Sequence, residues 1–168
     1  QVDVFHNTVI VDTSGIGGIT FFDDCAQNST WNGTVCTPVN VEGKCDDCDV
    51  RNNVVYMNAS DAPIIVGENT AVDVDNTWFN NQIHRISGTS LVCWGTLVDS
   101  ATNSCASAGT TLYTTAAAWN SGVGAAVDGN KDGDPLFVNF AGGDYNLQSS
   151  SPAKNAGVAI SGYACNGA

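Results

Sequence analysis

Apolar residues in this chain fall in short runs broken by Asn-, Gly- and Asp-rich corners, and helical spacing is scarce. Three of the runs resemble one another: Val4-Phe5-His6-Asn7-Thr8-Val9-Ile10, Val50-Arg51-Asn52-Asn53-Val54-Val55-Tyr56 and Val74-Asp75-Asn76-Thr77-Trp78-Phe79. Each reads as strand, sharp polar corner, strand. The second and third start 24 residues apart; the first two start 46 apart, close to two such periods or one period with an insertion. A period in the low twenties is the length of one coil in a solenoid of strands. Successive copies then stack, with His6-Asn7, Asn52-Asn53 and Asn76-Thr77 at the corner. Asn7, Asn52, Asn53 and Asn76 are expected to hydrogen-bond from coil to coil as a ladder.

Further strands follow at Ile64–Val66, Gln82–Ile86 and Leu91–Trp94, and Thr110–Trp119 reads as a short helical turn, with a strand and loop leading to the last coil as the alternative. The stretch 22–44, rich in Asn, Thr, Gly and Cys, reads as a surface loop inserted at one corner. Near the end the order is Gly133-Asp134-Pro135-Leu136-Phe137-Val138-Asn139, then Gly142-Gly143-Asp144-Tyr145-Asn146-Leu147-Gln148, then Ser151-Pro152-Ala153 and Asn155-Ala156-Gly157. Asp-Pro starts an extended segment, because the residue before proline is pushed out of the α region. Gly142-Gly143 supplies the positive φ of a tight turn.

That order resembles the closing segment of secreted right-handed parallel β-helix proteins, the pectate-lyase-like group, over about Asp134 to Gly157. With the repeat, it implies an all-β chain: a short right-handed parallel β-helix of about three or four coils. Residues 1–168 form a single domain in this reading, with 22–44 as a disulfide-stapled insertion and 134–168 as the closing segment. The resemblance gives an architecture and leaves the activity open.

Charge narrows the partners. Seventeen acidic against five basic residues give a net charge of -12, which excludes nucleic acid and anionic membrane surfaces as partners. No apolar run has the length of a membrane span. Seven cysteines point to an oxidising, secreted or cell-surface setting. Sequons at Asn28, Asn32 and Asn58 fit the same setting as glycosylation sites. Cys25 and Cys36 are placed to staple the insertion, Cys45 and Cys48 to form a structural bridge within their motif or to the neighbouring loop, and Cys93 and Cys105 to close a loop. Cys165 is left over.

Candidate chemistry is sparse. Asp128, Asn130, Asp132 and Asp134 offer oxygen ligands at alternate positions, as a structural calcium loop does. The residue at the twelfth position is Asn139, where an EF-hand would carry a bidentate Glu. The alternative is an Asp/Gly/Asn turn before the Asp-Pro strand. A polysaccharide lyase needs a cationic base and charge neutralisation at the substrate carboxylate. Arg51 and Arg85 are the only arginines, and no acidic ligands flank them at the repeat spacing. A glycosidase needs two carboxylates across the scissile bond, whereas Asp46-Asp47 and Asp23-Asp24 are adjacent, and strand neighbours point to opposite faces. No catalytic residue is assigned. Trp31, in the polar loop, is the candidate for stacking on a sugar ring.

The expected function is therefore a secreted or cell-surface structural β-helix that self-associates. The repeat-like strand at Val2–Ile10 has no amphipathic cap before it, and an open solenoid end is a template for another chain. A longer protein, coverage by the tail 156–168, or head-to-tail stacking into a filament would each cover it. The alternative function is a carbohydrate-binding or polysaccharide-cleaving module.

Overall fold

The computed structural model describes residues 3–11, 19–21, 29–31, 36–38, 48–58, 64–67, 76–88, 91–95 and 110–161. The chain is all-β in character: mostly short strands in parallel sheets, with little helix. Strands β1 (Asp3–Phe5), β2 (Thr8–Val11) and β3 (Thr20–Phe21) belong to three different sheets. After the hairpin of β4 (Ser29–Trp31) and β5 (Cys36–Pro38), β6 (Asp49–Arg51), β7 (Val54–Met57) and β8 (Ile64–Gly67) visit the same three sheets in the same order. So do β9 (Thr77–Phe79), β10 (Gln82–Arg85) and β11 (Val92–Gly95). The last round differs. Strand β12 (Thr110–Tyr113) turns back antiparallel on β11, the helix α1 (Ala116–Val123) follows, and β13 (Val127–Asp128) and β14 (Lys131–Asp132) close the first two sheets.

Register puts like on like. Val4, Val50, Trp78 and Val127 are stacked partners in one sheet, and Val9, Val55 and Ile83 in the next. Both rows point inward: Val50, Val55, Trp78 and Ile83 are fully buried. The core is completed by Met57, Ile64, Leu91, Val92, Ala116, Trp119 and Val127.

The repeat is not the one the sequence indicated. Val50 stands opposite Trp78 rather than Val74, and successive corners are 46, 28 and 49 residues apart. The third corner is Asn80-Asn81, after the strand, where the sequence reading put Asn76-Thr77 before it. The similarity at Val74–Asn76 was one of residue type. What the backbone repeats is a left-handed residue followed by an asparagine.

The helical turn read at Thr110–Trp119 is a strand followed by a helix. Thr115 caps the helix by accepting from the Ala118 N–H at 3.1 Å. Ala116 and Trp119, three apart on one face, are its buried residues. Trp119 packs against Trp78 and Trp94 with ring centroids 5.6 and 5.8 Å away. The helix thus lies over the end of the stack formed by β12, β13 and β14.

The closing segment is an antiparallel pair, β15 (Phe137–Asn139) and β16 (Asp144–Leu147), joined by the 3-10 turn Phe140–Gly142 and a left-handed Gly143. It packs along the side of the stack, because Phe137, Phe140 and Tyr145 form an aromatic cluster with Tyr56 of β7. The tail was a candidate cover for a solenoid end. As far as residue 161 it runs along the side instead: Asn52 and the backbone of Val158 exchange two hydrogen bonds, at 2.8 and 3.0 Å.

Candidate functional site

The corner between the first two sheets is the most specific polar arrangement among the described residues. His6, Asn52, Asn80 and Gly129 all have φ between 55° and 67°. His, Asn and Gly are the residue types that tolerate this region. Each is followed by an asparagine whose side chain turns under the corner. The Oδ1 of Asn53 accepts from both the N–H and the side-chain amide of Asn7, at 3.0 and 3.1 Å. Asn81 does the same for Asn53 at 3.1 and 2.9 Å, and Asn130 for Asn81 at 3.0 and 2.9 Å. Asn53, Asn81 and Asn130 are buried. Every rung satisfies a corner N–H that the turn would otherwise strand in the interior.

The ladder has a direction and two different ends. At the last rung, the Asn130 side-chain amide donates to Oδ1 of Asn120 on α1 at 3.0 Å, and Asn120 donates back to the Asn130 carbonyl at 2.9 Å. The helix therefore closes both the core and the ladder. At the first rung, Asn7 is exposed, and its Oδ1 accepts nothing among the described residues.

Two ladder positions differ from the sequence reading. Asn52 holds the left-handed corner, and its amide faces outward to Val158. Asn76 lies before β9, where its Oδ1 accepts from the Cys48 N–H at 2.8 Å, a separate link between neighbouring layers. Asn81, Asn130 and the terminating Asn120 were missed. The doublet Asn52-Asn53 recurs as Asn80-Asn81, and Val9, Val55 and Ile83 stand two positions after Asn7, Asn53 and Asn81, a signal that was available for Asn81; Asn130 is followed two positions on by Asp132 and carries no such signal.

The second candidate region is the outer face of β7 and β10. Tyr56 and His84, register partners, have ring centroids 5.0 Å apart. Burial lowers the His84 pKa below the ordinary imidazole value, with the Asp134 carboxylate acting against it. Burial, then Asp134, raises that of Tyr56. Both side chains are thus neutral at pH 7. Beside them is an open groove of about 220 Å3, lined by His84, Arg85, Thr114 and Asp132 with Ile83 and Leu91 at its floor. Because the folded state holds fewer protons on His84 than the unfolded chain does, stability should be full above the unfolded His value, about 6.5, and fall as pH drops through the lowered folded value. Urea unfolding between pH 7.5 and 5.5 checks this, and His84→Gln should flatten that slope.

The four oxygen-bearing residues proposed for a cation are each engaged separately. Asp128 accepts from the Gly129 N–H, Asn130 is a ladder rung, Asp132 accepts from the Ala116 N–H at the start of α1, and Asp134 accepts from the Leu136 N–H. No group of three or more His, Cys, Asp or Glu suited to a metal ion occurs among the described residues. Chelation should accordingly leave Tm unchanged, as a thermal melt with and without EDTA will test.

The Arg51 guanidinium pairs with Asp49 and lies 4.9 Å from the Phe79 ring centroid. That of Arg85 donates to the Ser87 carbonyl. Cys48 and Cys93 are buried, and each is in a disulfide, not with the other. Cys25, Cys45, Cys105, Cys165, Asn28 and Asn32 lie outside the described residues, as do the side chains of Trp31 and Cys36. Asn58 follows β7, and its N–H donates to the Val11 carbonyl at 2.8 Å.

No protein-family model, curated protein or solved structure matches the chain.

Proposed function

We propose that the chain is a short right-handed parallel β-helix acting as a secreted or cell-surface structural module that self-associates, with the edge strands β1, β2 and β3 as the surface for assembly. The carrying observation is the asparagine ladder, which ties the corner of every strand round to the next and, among the described residues, is closed by Asn120 at one end. Of the two arginines that could serve a lyase as its base, Arg51 is engaged by Asp49 and Phe79, and Arg85 lines the groove taken up below. The seven cysteines and the sequons support the extracellular setting. Head-to-tail filaments fit less well than assembly through one end, because α1 covers the end that a following copy would have to pair with.

The groove at His84, Arg85, Thr114 and Asp132 favours a second reading, a carbohydrate-binding face. The test is to assay the purified chain against neutral and uronate polysaccharides, with sedimentation velocity alongside. No turnover and no saturable glycan binding are expected. Turnover or glycan retention lost on Arg85→Ala would replace the structural reading with the carbohydrate one.

A further inference from the structure

We infer that the corner Asp128-Gly129 is a self-modification site: the Gly129 nitrogen attacks the Asp128 side-chain carboxyl, and the corner passes through a succinimide to isoaspartate, which releases the end of the ladder that α1 closes. The inference goes beyond the function proposed above and stands on the geometry of one corner.

Two Asp-Gly bonds lie close together in the chain, Asp128-Gly129 and Asp132-Gly133. The structure treats them in opposite ways. At the first, the Gly129 N–H donates to Oδ1 of Asp128, the residue before it, at 2.7 Å. That bond holds the nitrogen against the carboxyl group it would attack, and closing a ring needs its reacting groups in such contact. Asp128 is also exposed, so water reaches the site. At the second bond the same two groups are drawn apart. The Asp132 carboxylate accepts from the Ala116 N–H at the start of α1, and the Gly133 N–H donates to the Ile83 carbonyl at 3.1 Å.

The fold cannot shield the first site with a larger residue. Gly129 has a φ of 67°, in the left-handed region that favours glycine, and a Cβ there would run into the side-chain oxygen of Asn80. Glycine places no side chain over its own nitrogen. The requirement that makes the corner therefore leaves it reactive.

The reaction uses water alone. The Gly129 nitrogen forms a bond to Cγ of Asp128, and the carboxyl hydroxyl leaves as water with the amide proton. Water then adds to the main-chain carbonyl carbon of Asp128 and breaks its bond to Gly129, whose nitrogen keeps its bond to Cγ. The main chain now runs through the side chain and is one methylene longer. The former main-chain carbonyl, which accepts the Asn80 N–H at 3.1 Å, ends as a free carboxylate. Asn130 comes directly after Gly129. Its amide reaches the Trp78 carbonyl at 2.8 Å and Asn120 of α1 at 3.0 Å. A methylene inserted just ahead of Asn130 displaces that rung and breaks its tie to α1.

The experiment uses the whole, unaltered chain at pH 6 and 37 °C, with a second sample held in guanidinium chloride. Isoaspartate at each site is measured by mass spectrometry after digestion with a protease that cuts before aspartate and not before isoaspartate. In the folded chain it should form at Asp128 about tenfold faster than at Asp132, a small part of what orienting two reacting groups can supply. In the denatured sample the two rates should converge, because neither bond is then constrained. Equal rates in the folded chain, a faster reaction at Asp132, or no isoaspartate at either site would overturn the inference. The isoaspartyl fraction, separated by ion exchange, should unfold at a lower urea concentration than the parent. Unfolding at the parent's concentration would overturn the link between the modification and the closed end of the ladder.

Discussion

Asn81→Leu is expected to lower stability by about 4 kcal/mol, summing roughly 1–3 kcal/mol for each buried polar group left without a partner. Leucine keeps the branching of asparagine but carries larger methyl groups, so crowding adds to the loss of the hydrogen bonds. The Asn81 Oδ1 receives the Asn53 N–H and side-chain amide, and its own amide reaches the Val50 carbonyl and Asn130. Substitution strands the Asn53 N–H and the Val50 carbonyl inside the stack. The control is Asn76→Leu, which removes only the acceptor of the Cys48 N–H and should cost about 1–2 kcal/mol. Equilibrium urea denaturation of both variants gives the comparison. Equal losses would mean that Asn81 holds no special place.

Trp119→Ala is expected to cost a similar amount, about 3–5 kcal/mol, by a different route. The side chain is fully buried against Trp78 and Trp94, and its removal leaves a cavity at the closed end of the core. The Trp119 helix also carries Asn120, so loosening it frees the terminal rung of the ladder. Trp119→Phe, which keeps an aromatic plug, should lose much less. If Trp119→Ala unfolds at the same urea concentration as the parent chain, the helix is not what closes the stack.

The sequence made the strand-corner-strand unit legible because alternation and asparagine-rich corners are local. Val4–Ile10 and Val50–Tyr56 lie in register as their similarity implied. The third copy was misplaced because layer length is not fixed: a loop between sheets takes any length without disturbing the register, and the corners come at spacings of 46, 28 and 49 residues. The left-handed residue before each asparagine is the invariant, and a fixed period conceals it. Within Thr110–Trp119, read as a short helical turn or as a strand and loop, the helix Ala116–Val123 was not delimited because its stabilisation is tertiary. Its two buried residues matter only once Trp78 and Trp94 are in place. The Asp128–Asp134 run looked like a cation loop because alternate oxygen ligands and alternate turn acceptors are the same residue types. In the structure the Asn130 amide reaches the Trp78 carbonyl and Asp132 accepts from the N–H at the helix start, so these two are engaged apart from each other.

The measurement that bears most directly on this account is a three-dimensional NOE spectrum of the labelled chain, read at the asparagine side-chain amides. A directional ladder predicts contacts that connect Asn7 to Asn53, Asn53 to Asn81, Asn81 to Asn130 and Asn130 to Asn120, in that order. Contacts that instead join Asn53 to Asn76, at the shorter repeat, would contradict the register, and with it the order of strand rounds on which the proposed function depends.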